Sequence, residues 1–376
     1  MTETGMATLA SVLDELTIEG ELYTKQAGSA VRCTACGHRC LIREGKRGIC
    51  KVRFNPDGKL RVPWGYVAAL QADPIEKKPF FHVLPGATAL TFGMLGCDFH
   101  CGFCQNWLSS QALRDPGSDV SINFIRKITP RQIAAFGRRM GAELIASSYN
   151  EPLITSEWAV AIFKEAMAAG MKCVYVSNGN ATPEALEYLR PYLSAYKVDL
   201  KSMQDKNYRR LGGVLKNVLD TIQRAREMGL WVEVVTLVVP GLNDSNEELW
   251  EAARFLTSVS PDIPWHVTAF HPDYQMTDSD PTPARTLLRA ADIGREAGLR
   301  YVYAGNLPGR VEDYETTACS KCNTPLIRRF AYTITEYKIT AQGNCSKCGA
   351  PVAGVWTAHP EAVNLHGYGI PRIAFL

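Results

Sequence analysis

Cys97, Cys101 and Cys104, in the run Gly96-Cys97-Asp98-Phe99-His100-Cys101-Gly102-Phe103-Cys104, are the residues of this chain with the most distinctive chemistry. Three thiolates spaced C-x3-C-x2-C can hold three corners of a cubane iron–sulfur cluster and leave its fourth iron without a protein ligand. Electron-transfer clusters normally fill all four positions with cysteine. An iron with a free position can bind a small molecule as well as carry electrons. Three ligands of a zinc site, or reduced thiols without metal, are the competing readings of the same spacing.

The elements around the cysteines suit a reactive loop. Residues 89–93 read as a strand ending in Gly93, so the cysteines leave a strand C-terminus, where barrels of alternating strands and helices carry their chemistry. Strand patterns at 90–92, 144–146, 173–176, 195–198, 231–238, 266–270 and 301–303 alternate with helical patterns at 130–140, 156–169, 183–189, 216–228, 246–257 and 283–297. Gly141, Gly170, Gly229 and Gly298 stand where helices end. Six or seven such units predict an α/β fold with a parallel (β/α) barrel, complete or partial; a doubly wound open sheet is the alternative. Polar residues fall at the strand ends: Asn150-Glu151-Pro152, Ser177-Asn178-Gly179, Asp199 with Lys201, Glu233 with Thr236, and His266. Singly, these are turns, a helix start or a surface ion pair; their shared register predicts one mouth.

Two further cysteine groups flank this region. Cys33, Cys36, Cys40 and Cys50 supply all four ligands of a closed site, either structural zinc or a second iron–sulfur cluster. Cys319, Cys322, Cys345 and Cys348 form two C-x2-C knuckles around a β-rich stretch at 330–339, the pattern of a zinc ribbon, with rubredoxin-like iron as the alternative. Cys173 stands alone in an apolar run and reads as a buried thiol. The expected organisation is an N-terminal Cys-rich metal module with an irregular lead-in (1–88), the barrel (89–310) and a zinc-ribbon-like C-terminal module (311–376). Lys321, Arg328, Arg329, Lys338 and Lys347 on the last form either a partner surface or a solvated face.

The chain has 376 residues, 46% hydrophobic and 21% charged, which fits a globular protein. A formal charge of +3 gives no support for a nucleic-acid or membrane partner. Met1 to Ala10 contain Glu3 and no basic n-region, and no apolar run approaches a membrane span. Twelve cysteines, eleven of them clustered, then point to metal in a reducing, cytoplasmic setting.

Residues from about 33 to 306 resemble the radical S-adenosylmethionine (SAM) enzymes of the AmmeMemoRadiSam system, related to pyruvate formate-lyase activating enzyme. The resemblance rests on Asp73-Pro74-Ile75-Glu76-Lys77-Lys78-Pro79, the cysteine run through Asn106-Trp107, Tyr149-Asn150-Glu151-Pro152, Val198-Asp199-Leu200-Lys201, Pro240-Gly241-Leu242-Asn243-Asp244-Ser245 and Tyr301-Val302-Tyr303-Ala304-Gly305-Asn306. It implies that Cys97, Cys101 and Cys104 bind a 4Fe–4S cluster whose open iron chelates SAM, with Phe103 near the adenine. It implies Asn150 and Glu151 at the SAM amino group, Ser177 and Asn178 at the ribose or carboxylate, Asp199 and Lys201 near the carboxylate, His266 near SAM and Glu233 at the ribose. It further implies a flavodoxin- or ferredoxin-like electron donor, a 5′-deoxyadenosyl radical that abstracts hydrogen from a substrate, and partner proteins of that system. A glycyl-radical-enzyme activase acting on a partner protein is the alternative within this class. A non-catalytic zinc-binding adaptor is the rival outside it.

Overall fold

The computed structural model describes residues 8–367, 369, 372 and 373. Residues 1–7 of the expected N-terminal module and most of the last residues of the C-terminal one lie outside that set. Among the described residues, no helix is long and apolar enough to cross a membrane.

Among the described residues the main sheet has nine strands, of which eight are β1 (Ala69–Pro74), β2 (Thr88–Gly93), β3 (Leu144–Ser147), β4 (Lys172–Ser177), β5 (Ala195–Asp199), β6 (Trp231–Val238), β7 (Trp265–Ala269) and β8 (Val302–Gly305). Their spatial order is their chain order, and Arg372–Ile373 pairs with the outer edge of β1. Strands β2 to β8 run parallel, in registers such as Ala89↔Leu144, Ile145↔Cys173, Ala195↔Trp231 and Trp265↔Val302. β1 is antiparallel to β2. An order that never reverses excludes the doubly wound alternative, which needs a switch point. The described strands form no pairing between β8 and β1, so the sheet is open and the complete barrel is not formed.

The connecting helices are α1 (Pro130–Arg139), α2 (Ser156–Ala168), α3 (Pro183–Leu189), α4 (Asp205–Leu211), α5 (Leu215–Glu227), α6 (Asn246–Val259) and α7 (Ala284–Glu296). All but α4 match the sequence expectation to within two residues at each end. Their starts are set by capping: Thr129 forms a reciprocal box with Gln132, Thr182 accepts from the Ala185 N–H, and Ser245 accepts from the Glu248 N–H. Alternation along each strand sends one set of side chains to the helices, among them Leu90, Phe92, Ile145, Cys173, Tyr196 and Val234. Cys173 is fully buried there, and burial pushes its thiol up to about 12.

The other face carries small residues, Ala89, Ala146 and Ala195, under Ile75, Phe80, Val83 and Leu84. The expected irregular lead-in is therefore part of this sheet: β1 pairs with β2, and the segment between them fills the concave face. Small residues leave room for a backbone to approach, and alternation alone does not reveal that. The C-terminal module holds the same segment. Its strands β9 (Pro325–Phe330) and β10 (Thr333–Tyr337) are antiparallel. Buried Arg329 donates to the Phe81 carbonyl at 2.7 Å and stands 4.2 Å over the Phe81 ring. The Val355 N–H donates to the His82 carbonyl at 2.7 Å. Arg329, counted from sequence among surface cations, is a buried tether.

A helix at Leu9–Glu15 and short antiparallel strands make up the N-terminal module, tied to α2 by a buried ion pair. Arg53 donates to both Glu157 oxygens at 2.9 and 2.7 Å, and both side chains are 1% exposed. Glu157 also accepts the N–H groups of Glu21 and Leu22. Substituting Glu157→Gln leaves the buried guanidinium uncompensated. It is expected to destabilise the fold by about 3–5 kcal/mol, read as a lower midpoint in chemical unfolding.

Candidate functional site

The cysteine loop begins where β2 ends, and close packing fixes its path. A Cβ on Gly93 would stand 2.7 Å from the Ser148 carbonyl oxygen, and Gly96 has φ +97°. The Gly96 N–H donates to the Ser109 carbonyl at 2.8 Å and the His100 N–H to the Leu211 carbonyl at 2.9 Å. Arg114 donates to the carbonyls of Phe99, Cys97 and Ile49. Phe99 fills a buried slot where any side chain on Gly213 would collide with it. Asp98 is fully buried: its two oxygens accept from the side-chain amides of Asn178 at 2.7 Å and Asn180 at 2.8 Å. Burial pushes all three thiols up, Cys101 to about 12. Nearby iron would reverse that preference by stabilising the thiolates.

The three cysteines open onto a pocket of about 550 Å³ at the C-terminal ends of the parallel strands. Phe103, Asn150, Glu151, Ser177, Asn178, Asp199 and Lys201 line it with them, so the sequence brought together most of one mouth. Their present partners are specific. Glu151 accepts from the Ser177 hydroxyl at 2.8 Å and from the backbone N–H of Leu153 and Asn178 at 3.0 and 2.7 Å. Burial, with a smaller contribution from Asp98, pushes its carboxyl up to about 8. Asn150 spans to β2, accepting from the Met94 N–H. Asp199 takes salt bridges from Lys197 and Lys201. Burial alone would raise its pKa; the two ammonium groups outweigh that and hold it at about 2.

Glu233 and His266 are not brought to this mouth. They occupy the same inward face of β6 and β7 as the pocket-lining Val235, Leu237 and Thr268, but nearer the strand N-termini. Glu233 is fully buried, accepting from the N–H groups of Phe81 and His82, the Trp231 indole and the His266 ring. Its hydrogen bonds anchor the segment after β1, and neither residue is among those that line the pocket. Sequence reasoning missed Lys197, which alternates with Asp199 and Lys201 and was detectable from that period. It also missed Asp98, which lies within the cysteine run itself, and Lys77, Lys78, Tyr149 and Tyr332, which only the chain path brings near.

The outer cysteines differ in geometry. Cys319, Cys322, Cys345 and Cys348 place their Sγ atoms within 4.8 Å of one another, with Cys319–Cys348 at 3.7 Å and Cys322–Cys345 at 3.8 Å. Four thiolates about 2.3 Å from one tetrahedral metal ion would be similarly spaced. In the N-terminal module, Cys33, Cys36 and Cys50 are buried and Cys40 is partly exposed. The Cys40 sulfur accepts from the Ile49 N–H at 3.5 Å. Burial pushes the thiols of Cys36, Cys40 and Cys50 up, and neighbouring Cys33 adds to each shift. This module abuts the central loop: the Gly37 N–H donates to the Asn180 carbonyl, and Asn180 holds Asp98.

Residues 92–256 match the family model of the radical SAM superfamily. The chain is 35% identical over 337 residues to an uncharacterized protein of Methanocaldococcus jannaschii, covering 89% of this chain and 98% of that one. It is 26% identical over 173 residues to an isethionate sulfite-lyase activating enzyme of Oleidesulfovibrio alaskensis, covering 44% of this chain and 55% of that one, about half its length. It is 25% identical over 197 residues to a pyruvate formate-lyase-activating enzyme of Staphylococcus epidermidis, covering 50% of this chain and 76% of that one. Such a domain implies SAM and a 4Fe–4S cluster. Asp98→Ala, which frees the cysteine loop without removing a thiol, is expected to weaken iron retention by about tenfold or more after anaerobic reconstitution, measured by chelator titration.

Proposed function

The chain belongs to the radical SAM superfamily, and from that premise we propose that it binds SAM in the pocket beside Cys97, Cys101 and Cys104 and uses it to abstract hydrogen from a substrate. The observation that carries this reading is the convergence of three cysteine thiols, a buried carboxyl and a lysine–carboxylate group on one pocket. Cys97, Cys101 and Cys104 would hold a 4Fe–4S cluster, which when bound and reduced would supply the electron for cleavage of SAM to methionine and a 5′-deoxyadenosyl radical.

The chain's own residues then bind, orient and exclude water. Cys97, Cys101 and Cys104 hold the cluster. Glu151, already oriented by Ser177, receives the SAM amino group. The ammonium groups of Lys201 and Lys197 face its carboxylate, with Asp199 keeping them in place. Phe103 supplies an apolar wall for the adenine. The buried layer of Glu233 and His266 closes the pocket floor and keeps water from a reactive carbon radical.

The C-terminal cysteines hold zinc, on their tetrahedral spacing. The N-terminal four hold zinc or a second iron–sulfur cluster. The protein works in the cytoplasm, takes electrons from a flavodoxin- or ferredoxin-like donor, and acts within an AmmeMemoRadiSam system with its partner proteins. The singly wound sheet is a partial barrel of the radical SAM type. A second reading, in which the substrate is a glycine of a partner protein, draws support from two relatives that are named as activating enzymes of lyases. The adaptor reading has no use for the shared pocket.

Anaerobically reconstituted protein, reduced with dithionite and given SAM, is expected to release 5′-deoxyadenosine, and Cys101→Ala to release none. Failure of the wild type to produce it despite a full complement of iron and a reduced cluster would sink the proposal. Metal analysis should find at least one zinc per chain, of which about one equivalent survives Cys101→Ala and is lost in Cys345→Ser.

A further inference from the structure

Part of the pocket has no role in the reading above. Lys77 and Lys78 follow β1, and Tyr332 comes from the hairpin turn between β9 and β10; all three line the pocket. Lys78 is 3% exposed. Its Nζ is 2.7 Å from Asp73, and that fully buried carboxyl also takes Lys77 at 2.9 Å and the Tyr149 hydroxyl at 2.7 Å. Gln71 accepts from Lys77, and its side-chain oxygen lies 3.0 Å from the Tyr149 hydroxyl.

Two ammonium groups therefore share one carboxylate, which leaves a surplus positive charge at this edge. The Lys197–Asp199–Lys201 group has the same composition, and its surplus is matched by the carboxylate of SAM. Among the described residues, Asp73 is the one carboxylate that Lys77 and Lys78 pair with. The arrangement is also rigidly held. Lys78 stands 4.1 Å over the Tyr149 ring, and Tyr149 adopts φ +72°, a backbone conformation costly for an aromatic residue. A desolvated ammonium that lines a pocket interacts with an incoming anion far more strongly than an exposed one.

We propose that Lys77, Lys78 and Tyr332 form the substrate subsite, and that the substrate carries an oxyanion, carboxylate or phosphate, which these groups hold. The proposal rests on the SAM reading, because it assigns the second cationic group to SAM. The two ammonium groups supply charge and the Tyr332 hydroxyl a hydrogen-bond donor. The C-terminal module thereby contributes directly to substrate choice.

The test is calorimetric titration of full-length, SAM-loaded, reconstituted protein with inorganic phosphate in one arm and succinate in the other. The wild type is expected to bind one probe saturably at a single site, and the arm that responds names the oxyanion. Lys78→Met should weaken that binding by about tenfold or more, since it removes a buried charge-assisted bond, and Lys78→Arg should restore most of it. Thermal unfolding of each variant separates misfolding from loss of the subsite. Equal binding by wild type and Lys78→Met, or no saturable binding of either probe to the wild type, overturns the proposal. SAM titrated alone into the wild type reports separately: its failure to bind would sink the SAM reading and the subsite with it, whereas SAM binding without binding of either oxyanion would sink the subsite alone.

Discussion

The buried carboxyl of Asp98 is the interaction on which the site depends. It lies inside the cysteine run, and its two oxygens are held by Asn178 and Asn180 at the end of β4. Asn180 also meets the N-terminal cysteine module through Gly37 and meets α5 through Asn217. One carboxyl group thus sets the cysteine loop against the sheet and against a second cysteine cluster. A buried carboxyl tolerates few arrangements, because each oxygen must keep its donors. That intolerance gives three thiols on an irregular loop a defined position.

The concave face of the sheet is divided into two levels. Toward the strand N-termini, Glu233, His266, His82 and Tyr303 form a closed network; the His82 ring lies 2.7 Å from the Ala353 carbonyl and 2.6 Å from the Tyr303 hydroxyl. Toward the C-termini the same face turns to Lys197, Asp199, Val235 and Thr268 and opens into the pocket. The lower level has satisfied its polar groups within the chain, so it is a floor. The upper level keeps carboxyl and ammonium groups oriented toward open space.

The C-terminal cysteine module belongs to this architecture. Arg329 reaches across to Phe81, Val355 pairs with His82, and Tyr332 arrives at the pocket. Phe81 and His82 are in turn fixed by Glu233. The four-cysteine hairpin module, the segment after β1 and the centre of the sheet are therefore mechanically one unit.

The sequence by itself determined the elements and the chemistry available. Strand and helix periods, caps at Thr129, Thr182 and Ser245, and the spacing of eleven clustered cysteines are local properties, and local properties are written in neighbouring residues. The shared mouth of Glu151, Ser177, Asn178, Asp199 and Lys201 was legible for the same reason, since strand ends in a parallel sheet lie side by side. Tertiary structure alone decided the level at which each residue sits and what crosses the open face. Glu233 and His266 looked like Asp199 and Lys201 in sequence, yet a strand's period of two fixes the face a side chain points to and not its depth along the strand. The lead-in at 69–87 carried no periodic signal for its place, because it is held by distant partners, Glu233 and Arg329, that the folded chain brings to it.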